Sequence, residues 1–185
     1  MNRVKTFEFL THAECDKIVE TILSLEDSVK SIGPDIYAGT SDDSLTGRFH
    51  CFNFLTVETI NSIIAPKLKK MFGPCTVQCW ANTFRYGEGI NTHFHIDDIN
   101  RCPEFVAAAN IFLRGDPTTG TYYDGVKHIN KVGEVSIFSP VLPHSVPKNL
   151  TNTIRISMAL DIYVGSDKFM KNLCAKEPGR YVFIE

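Results

Sequence analysis

The chain has 185 residues, enough for one ordinary domain with a real hydrophobic core. Hydrophobic residues make up 43% and charged residues 22%, which excludes a disordered or fibrous chain. The formal net charge of -2 leaves no basic footprint for nucleic acid, and no apolar run reaches the roughly 20 residues of a membrane helix.

From the start, Met1–Lys5 leads into only a short apolar stretch, so no secretory signal is read and a cytoplasmic location is expected. Phe7, Phe9 and Leu10 read as a short strand-like run. Thr11 and Glu14 have the spacing of a capping box. Cys15, Ile18, Val19, Ile22 and Leu23 then follow at helical spacing. Residues 31–47 are rich in Gly, Ser and Asp and read as loop. A second helix is expected from about Val57 to Phe72, stopped by Gly73-Pro74.

Beyond Pro74 the texture changes to short runs of Val, Ile, Phe, Tyr and Thr between Gly and Pro turns. Strands are expected at about 76–86, 91–96, 105–113, 119–123, 134–138 and 153–164. This pattern predicts a β-sandwich or jelly roll, with two helices packed on it. The expected organisation is one domain: helical support over about 1–75, a β core over about 76–164 and a C-terminal extension over 165–185. The six cysteines are scattered. Cys75-x3-Cys79 has the form of half a zinc site, but no second pair follows, and buried thiols are the simpler reading.

The chemistry concentrates in Tyr86–Asp98. On a strand, His93, His95 and Asp97 share one face, and Phe94 and Ile96 the other. Three good ligands on one face are poor core material unless something binds them, and imidazole with carboxylate is a ligand set for non-haem Fe(II). His144, set between prolines after an apolar run, offers a further ligand. Arg155 and Ser157 alternate with Ile154, Ile156 and Met158 in a later strand. A symmetric turn about Asn149 and Leu150 would set His144 and Arg155 opposite each other across a hairpin. An Arg inside an apolar strand wants a carboxylate, and a small acidic ligand would supply one.

Together these residues resemble the Fe(II)/2-oxoglutarate-dependent oxygenases, most closely the prolyl-4-hydroxylase-like branch. The resemblance rests on Tyr86-x2-Gly89-x5-His95-x-Asp97, on the distal His144, and on Arg155-x-Ser157 eleven residues beyond it. Phe9-Leu10-Thr11-x2-Glu14-Cys15-Asp16 is similar to the first helix of that group. The likeness runs from about residue 7 to 164. One departure is Arg155, where the prolyl-hydroxylase branch often has Lys; another is His93, a second candidate histidine.

The resemblance implies a double-stranded β-helix with supporting helices. It implies that His95, Asp97 and His144 bind Fe(II) as the catalytic centre, and that Arg155 and Ser157 hold 2-oxoglutarate with Tyr86 assisting. The implied reaction is hydroxylation by O2 with release of succinate and CO2, with ascorbate as an auxiliary reductant. The implied substrate is prolyl, peptidyl or a small molecule, selected by loops around 31–50. Asp97 matters in that scheme, since related halogenases lack this carboxylate.

Other sites use the same residues. Thr92–Asp98 is one residue short of the zinc motif of metallo-β-lactamase-fold hydrolases, because Asp98 stands where a His is needed. A cupin would use Gly87-x5-His93-x-His95 with His144, but leaves Arg155-x-Ser157 unexplained. A catalytically silent β-helix binding module is the non-enzymatic alternative.

Overall fold

A computed structural model describes residues 3–32, 45–46, 48 and 52–185. Most of the loop expected to select substrate therefore lies outside the described residues, as do His50 and Cys51.

Strand β1 (Val4–Glu8) leads into helix α1 (His12–Ser31). The capping box is formed: the Thr11 hydroxyl accepts from the Glu14 N–H at 3.2 Å, and the Glu14 carboxylate accepts from the Thr11 N–H at 2.7 Å. One stripe of α1 is buried, with Cys15, Ile18, Val19, Ile22 and Val29. Glu26 lies in that stripe and is held as an ion: Arg85 grips both of its oxygens at 2.8 Å and Lys30 adds a contact at 3.1 Å. Helix α2 (Glu58–Phe72) buries Ile60, Ile64 and Leu68 and stops at Gly73, whose φ is 72°.

The remaining strands are β2 (Cys75–Phe84), β3 (Ile90–His93), β4 (Phe105–Arg114), β5 (Thr121–Tyr123), β6 (Val126–His128), β7 (Glu134–Phe138), β8 (His144–Val146) and β9 (Arg155–Tyr163). Helix α3 (Asp167–Lys176) and strand β10 (Val182–Ile184) follow. The strands form a six-stranded sheet in the order β1-β7-β4-β9-β2-β10 and a four-stranded sheet in the order β3-β8-β5-β6. All pairings between these strands are antiparallel. The extension beyond 164 thus supplies the edge strand β10, which pairs with β2.

The large sheet works on both faces. Val77, Cys79 and Ala81 of β2, Ala109 and Ile111 of β4, and Ile156, Met158, Leu160 and Ile162 of β9 join α1 and α2 in the main core. The alternate residues (Trp80, Asn82 and Phe84; Asn110 and Phe112; Arg155, Ser157 and Asp161) therefore point into the space between the sheets. That period of two aims a polar row at the small sheet. Cys75 and Cys79 belong to the helix-side core, where burial raises the Cys75 thiol to about 11 and Cys79 further still.

The connection from β8 to β9 differs from the symmetric hairpin. β8 pairs with β3 and β5, whereas β9 pairs with β2 and β4. His144 faces His93 and Arg155 faces Phe84, so the two lie on opposite sheets. Asn149 holds this crossing: its side-chain amide donates to the carbonyls of Phe84 and Thr153 at 2.9 and 2.8 Å. Gly89 is required beside it. A Cβ there would stand 2.7 Å from the Val146 carbonyl oxygen and 3.0 Å from the Lys148 nitrogen.

Candidate metal centre

Strand β3 ends at His93, directly opposite His144 of β8. The chain then bends, and the N–H groups of His95 and Ile96 both donate to the Pro140 carbonyl, at 2.9 and 3.3 Å. This bend keeps the His95 ring inside the sandwich. His93, His95 and His144 each offer a ring nitrogen, all within 4.8 Å of one another.

The hydrogen bonds fix which nitrogens converge. The His93 Nδ1 lies 2.9 Å from the Asn91 carbonyl oxygen, and the His144 Nδ1 lies 3.0 Å from that of Leu142. A carbonyl only accepts, so in each ring Nδ1 carries the proton and Nε2 carries the lone pair. The His95 Nδ1 is hydrogen-bonded to the Asp161 carboxylate, which can only accept, so this Nδ1 carries a proton too. The Nε2 atoms of His95 and His144 face each other at 3.2 Å. Burial and the neighbouring rings depress His144 to about 3, and burial also lowers His93. Both imidazoles are therefore neutral at pH 7, as a metal ligand must be.

Asp97 is not brought to this cluster. The alternation that aligns His93, His95 and Asp97 requires an unbroken strand, and the bend at Pro140 ends it. Asp97 lies instead at the surface and pairs with Arg101 at 3.0 Å, next to a turn capped by the Asp98 carboxylate. Ile96 packs against the Phe105, Tyr163 and Tyr181 cluster, whereas Phe94 is exposed. Tyr86 is also displaced: β2 ends at Phe84, and Tyr86 is 68% exposed in the following turn. It does not line the cavity between the sheets.

Arg155 and Ser157 are both buried on the inner face of β9. The Arg155 guanidinium donates to the Thr121 hydroxyl at 3.1 Å and the Ser157 hydroxyl at 3.4 Å. Its central carbon lies 5.4 Å from the Phe84 ring centroid and 5.5 Å from that of Phe112. Its Nε has no hydrogen-bond partner, and no carboxylate among the described residues pairs with it. Burial lowers Arg155 to about 10, which leaves it cationic at pH 7. An uncompensated cation at this depth calls for an anionic ligand.

The cavity between the two groups is lined by Trp80, Asn82, Thr121, Tyr123, Phe138 and Ser157, together with the three histidines. It measures about 40 Å³. Asn82 presents a buried, unpartnered side-chain oxygen on the same wall. Tyr123 stacks near His144 with ring centroids 6.1 Å apart, and burial raises its hydroxyl to about 12. Tyr123, Thr121, Asn82 and Asp161 are absent from the sequence-based expectation. Asp161 alone had a readable signal, since it continues the alternation Arg155-x-Ser157-x-Ala159-x-Asp161.

No protein-family profile matches the chain, and the search of curated proteins found no match. Solved structures are similar in fold. A Pseudomonas putida prolyl-4-hydroxylase is 14% identical with a TM-score of 0.54, over 89% of this chain and 94% of that one. A Trichoplax adhaerens prolyl hydroxylase, in complex with a hypoxia-inducible-factor peptide, is 14% identical with a TM-score of 0.58, over 94% and 87%. HygX from Streptomyces hygroscopicus, with nickel and 2-oxoglutarate bound, is 9% identical with a TM-score of 0.60, over 87% and 81%. The fold is thus the double-stranded β-helix of the non-haem iron, 2-oxoglutarate-dependent oxygenases, prolyl hydroxylases among them.

Proposed function

We propose that the protein is an Fe(II)- and 2-oxoglutarate-dependent dioxygenase that hydroxylates a peptidyl or small-molecule substrate. The observation that carries this reading is a pair of opposed needs around one cavity. Three imidazoles converge as a cation site, and a buried Arg155 without a counter-ion stands behind the wall residues Thr121 and Ser157. A divalent metal chelated by a dicarboxylate meets both needs.

In this reading His93, His95 and His144 hold the iron, His93 taking the place that the resemblance gave to Asp97. Three ligands on one face leave open positions for the co-substrate and O2. Bound iron would supply the coupling of O2 reduction to oxidative decarboxylation of 2-oxoglutarate, giving succinate, CO2 and an oxidised substrate. The protein's own part is binding and exclusion. Arg155 takes the distal carboxylate, with Thr121 and Ser157 steering its guanidinium. Phe84 and Phe112 each set a ring against that guanidinium and keep water from competing for it.

A second reading has one observation in its favour. The residues brought together are the set a cupin would use, His93, His95 and His144. A cupin-type metal protein leaves Arg155 unexplained, and so does a silent binding module. Succinate release from purified protein with Fe(II), ascorbate and 2-oxoglutarate separates them. The dioxygenase is expected to release succinate even without substrate. Metal binding with no response to 2-oxoglutarate would favour the cupin, and no metal binding the module. Trp80, the chain's one tryptophan, stands 5.6 Å from the His95 ring, so its fluorescence reports both binding steps.

A further inference from the structure

The three candidate ligands are not backed alike. His93 and His144 each give their Nδ1 proton to a backbone carbonyl, a neutral acceptor. His95 alone gives it to a carboxylate, that of Asp161. His95 is also the ligand beyond the end of β3, where no ladder holds it, whereas His93 and His144 face each other across paired strands. Its ring is the one that most needs an anchor.

Asp161 is only 7% exposed, and no Lys or Arg among the described residues pairs with it. The ionisable neighbours Cys79 and Tyr163 do not compensate it, since burial and the Asp161 charge itself keep both protonated. A buried carboxylate in such surroundings is costly without a nearby positive charge. The geometry supplies one direction for it, through the His95 ring to Nε2.

We propose that Asp161 is a positioning residue of the metal centre: it orients His95 and supplies, through that imidazole, the negative charge that an all-histidine ligand set lacks. This inference rests on the ligand reading above. The layout along β9 supports it. Asp161 and Arg155 lie on one face of the same strand, one toward the histidines and the other toward the expected carboxylate. A divalent metal and a dianionic co-substrate cancel one another, and Asp161 and Arg155 do the same, so the filled site is electrically neutral. Carboxylate–histidine–metal arrangements of this kind fix the ring and raise its basicity.

The test is Co(II) titration of wild type, Asp161→Asn, Asp161→Glu and His93→Ala, with proton NMR of the Co(II) forms. Asp161→Asn is nearly isosteric and is expected to weaken Co(II) binding roughly 10- to 100-fold. Among the shifted, exchangeable ring N–H signals, one should move or vanish while the other two stay. Asp161→Glu keeps the charge and is expected to recover part of the affinity; if the Asn variant does not fold, the same NMR signature is read on the Glu variant. Wild-type affinity and an unchanged set of ring signals in both variants would overturn the proposal. Failure of the ligand reading looks different: there His93→Ala would bind Co(II) as wild type does, whatever the Asp161 variants show.

Discussion

Arg155 is the least exposed charged side chain among the described residues, at 1%. Its hydroxyl partners Thr121 and Ser157 orient it without neutralising it. Arg155→Ala is therefore expected to raise the 2-oxoglutarate concentration for half-maximal succinate release roughly 10- to 100-fold, the worth of one charge-assisted hydrogen bond, while Co(II) affinity is kept. Normal turnover at low 2-oxoglutarate would remove Arg155 from the co-substrate site. Arg155 and Ser157 were legible because residue type and alternation coincide inside one long strand. His95 and His144 were legible by type and spacing. Asp97 was set on the face of His93 and His95 by strand alternation. It lies past the end of β3, and the period of two was carried beyond the point where the backbone keeps it. The Pro140 carbonyl that ends β3 is distant in sequence, so no local pattern announces that bend.

At the scale of elements, α1 and α2 were readable because caps, stop residues and apolar stripes are local signals. The β8–β9 crossing was not, because a turn rich in Pro, Lys and Asn is equally compatible with a hairpin and with a change of sheet. What selects the crossing is Asn149 bridging to Phe84, together with the close approach of Gly89 to β8. Gly89→Ala should therefore cost about 1–3 kcal/mol by overpacking against backbone that has no side chain to move aside. Urea unfolding measures it. A loss below a few tenths of a kcal/mol would mean that the β3–β8 approach is looser than described. Because β3 and β8 carry His93 and His144, the same variant should also weaken metal binding.

For the whole molecule, the site makes a statement about acid. Free imidazoles titrate near 6.5, whereas His144 is depressed to about 3 and His93 is also lowered. Between those values the unfolded chain binds more protons than the folded one, so stability rises with pH there and is lost as pH falls from about 6.5. Glu14 and Glu26 are held below the ordinary carboxylate range and stay ionised through most of this window. The metal-free protein should thus show a falling urea midpoint from pH 7 to pH 5, and His144→Gln should flatten the slope. An identical slope in that variant would place His144 in a solvated environment. Metal adds stability at pH 7 by mass action, and that gain should fade over the same acid range as protons compete for the ligands.

The central claim is that His93, His95 and His144, with Arg155 opposite, make one site for ferrous iron and 2-oxoglutarate. Anaerobic addition of 2-oxoglutarate to the Fe(II) protein, followed by visible absorption, tests it most directly. A co-substrate chelated to iron gives a charge-transfer band that neither component gives alone. The band is expected in wild type and in Asp97→Asn, and it should be missing in His93→Ala. A band lost in Asp97→Asn but kept in His93→Ala would contradict the three-histidine ligand set, and no band in wild type would contradict the site itself.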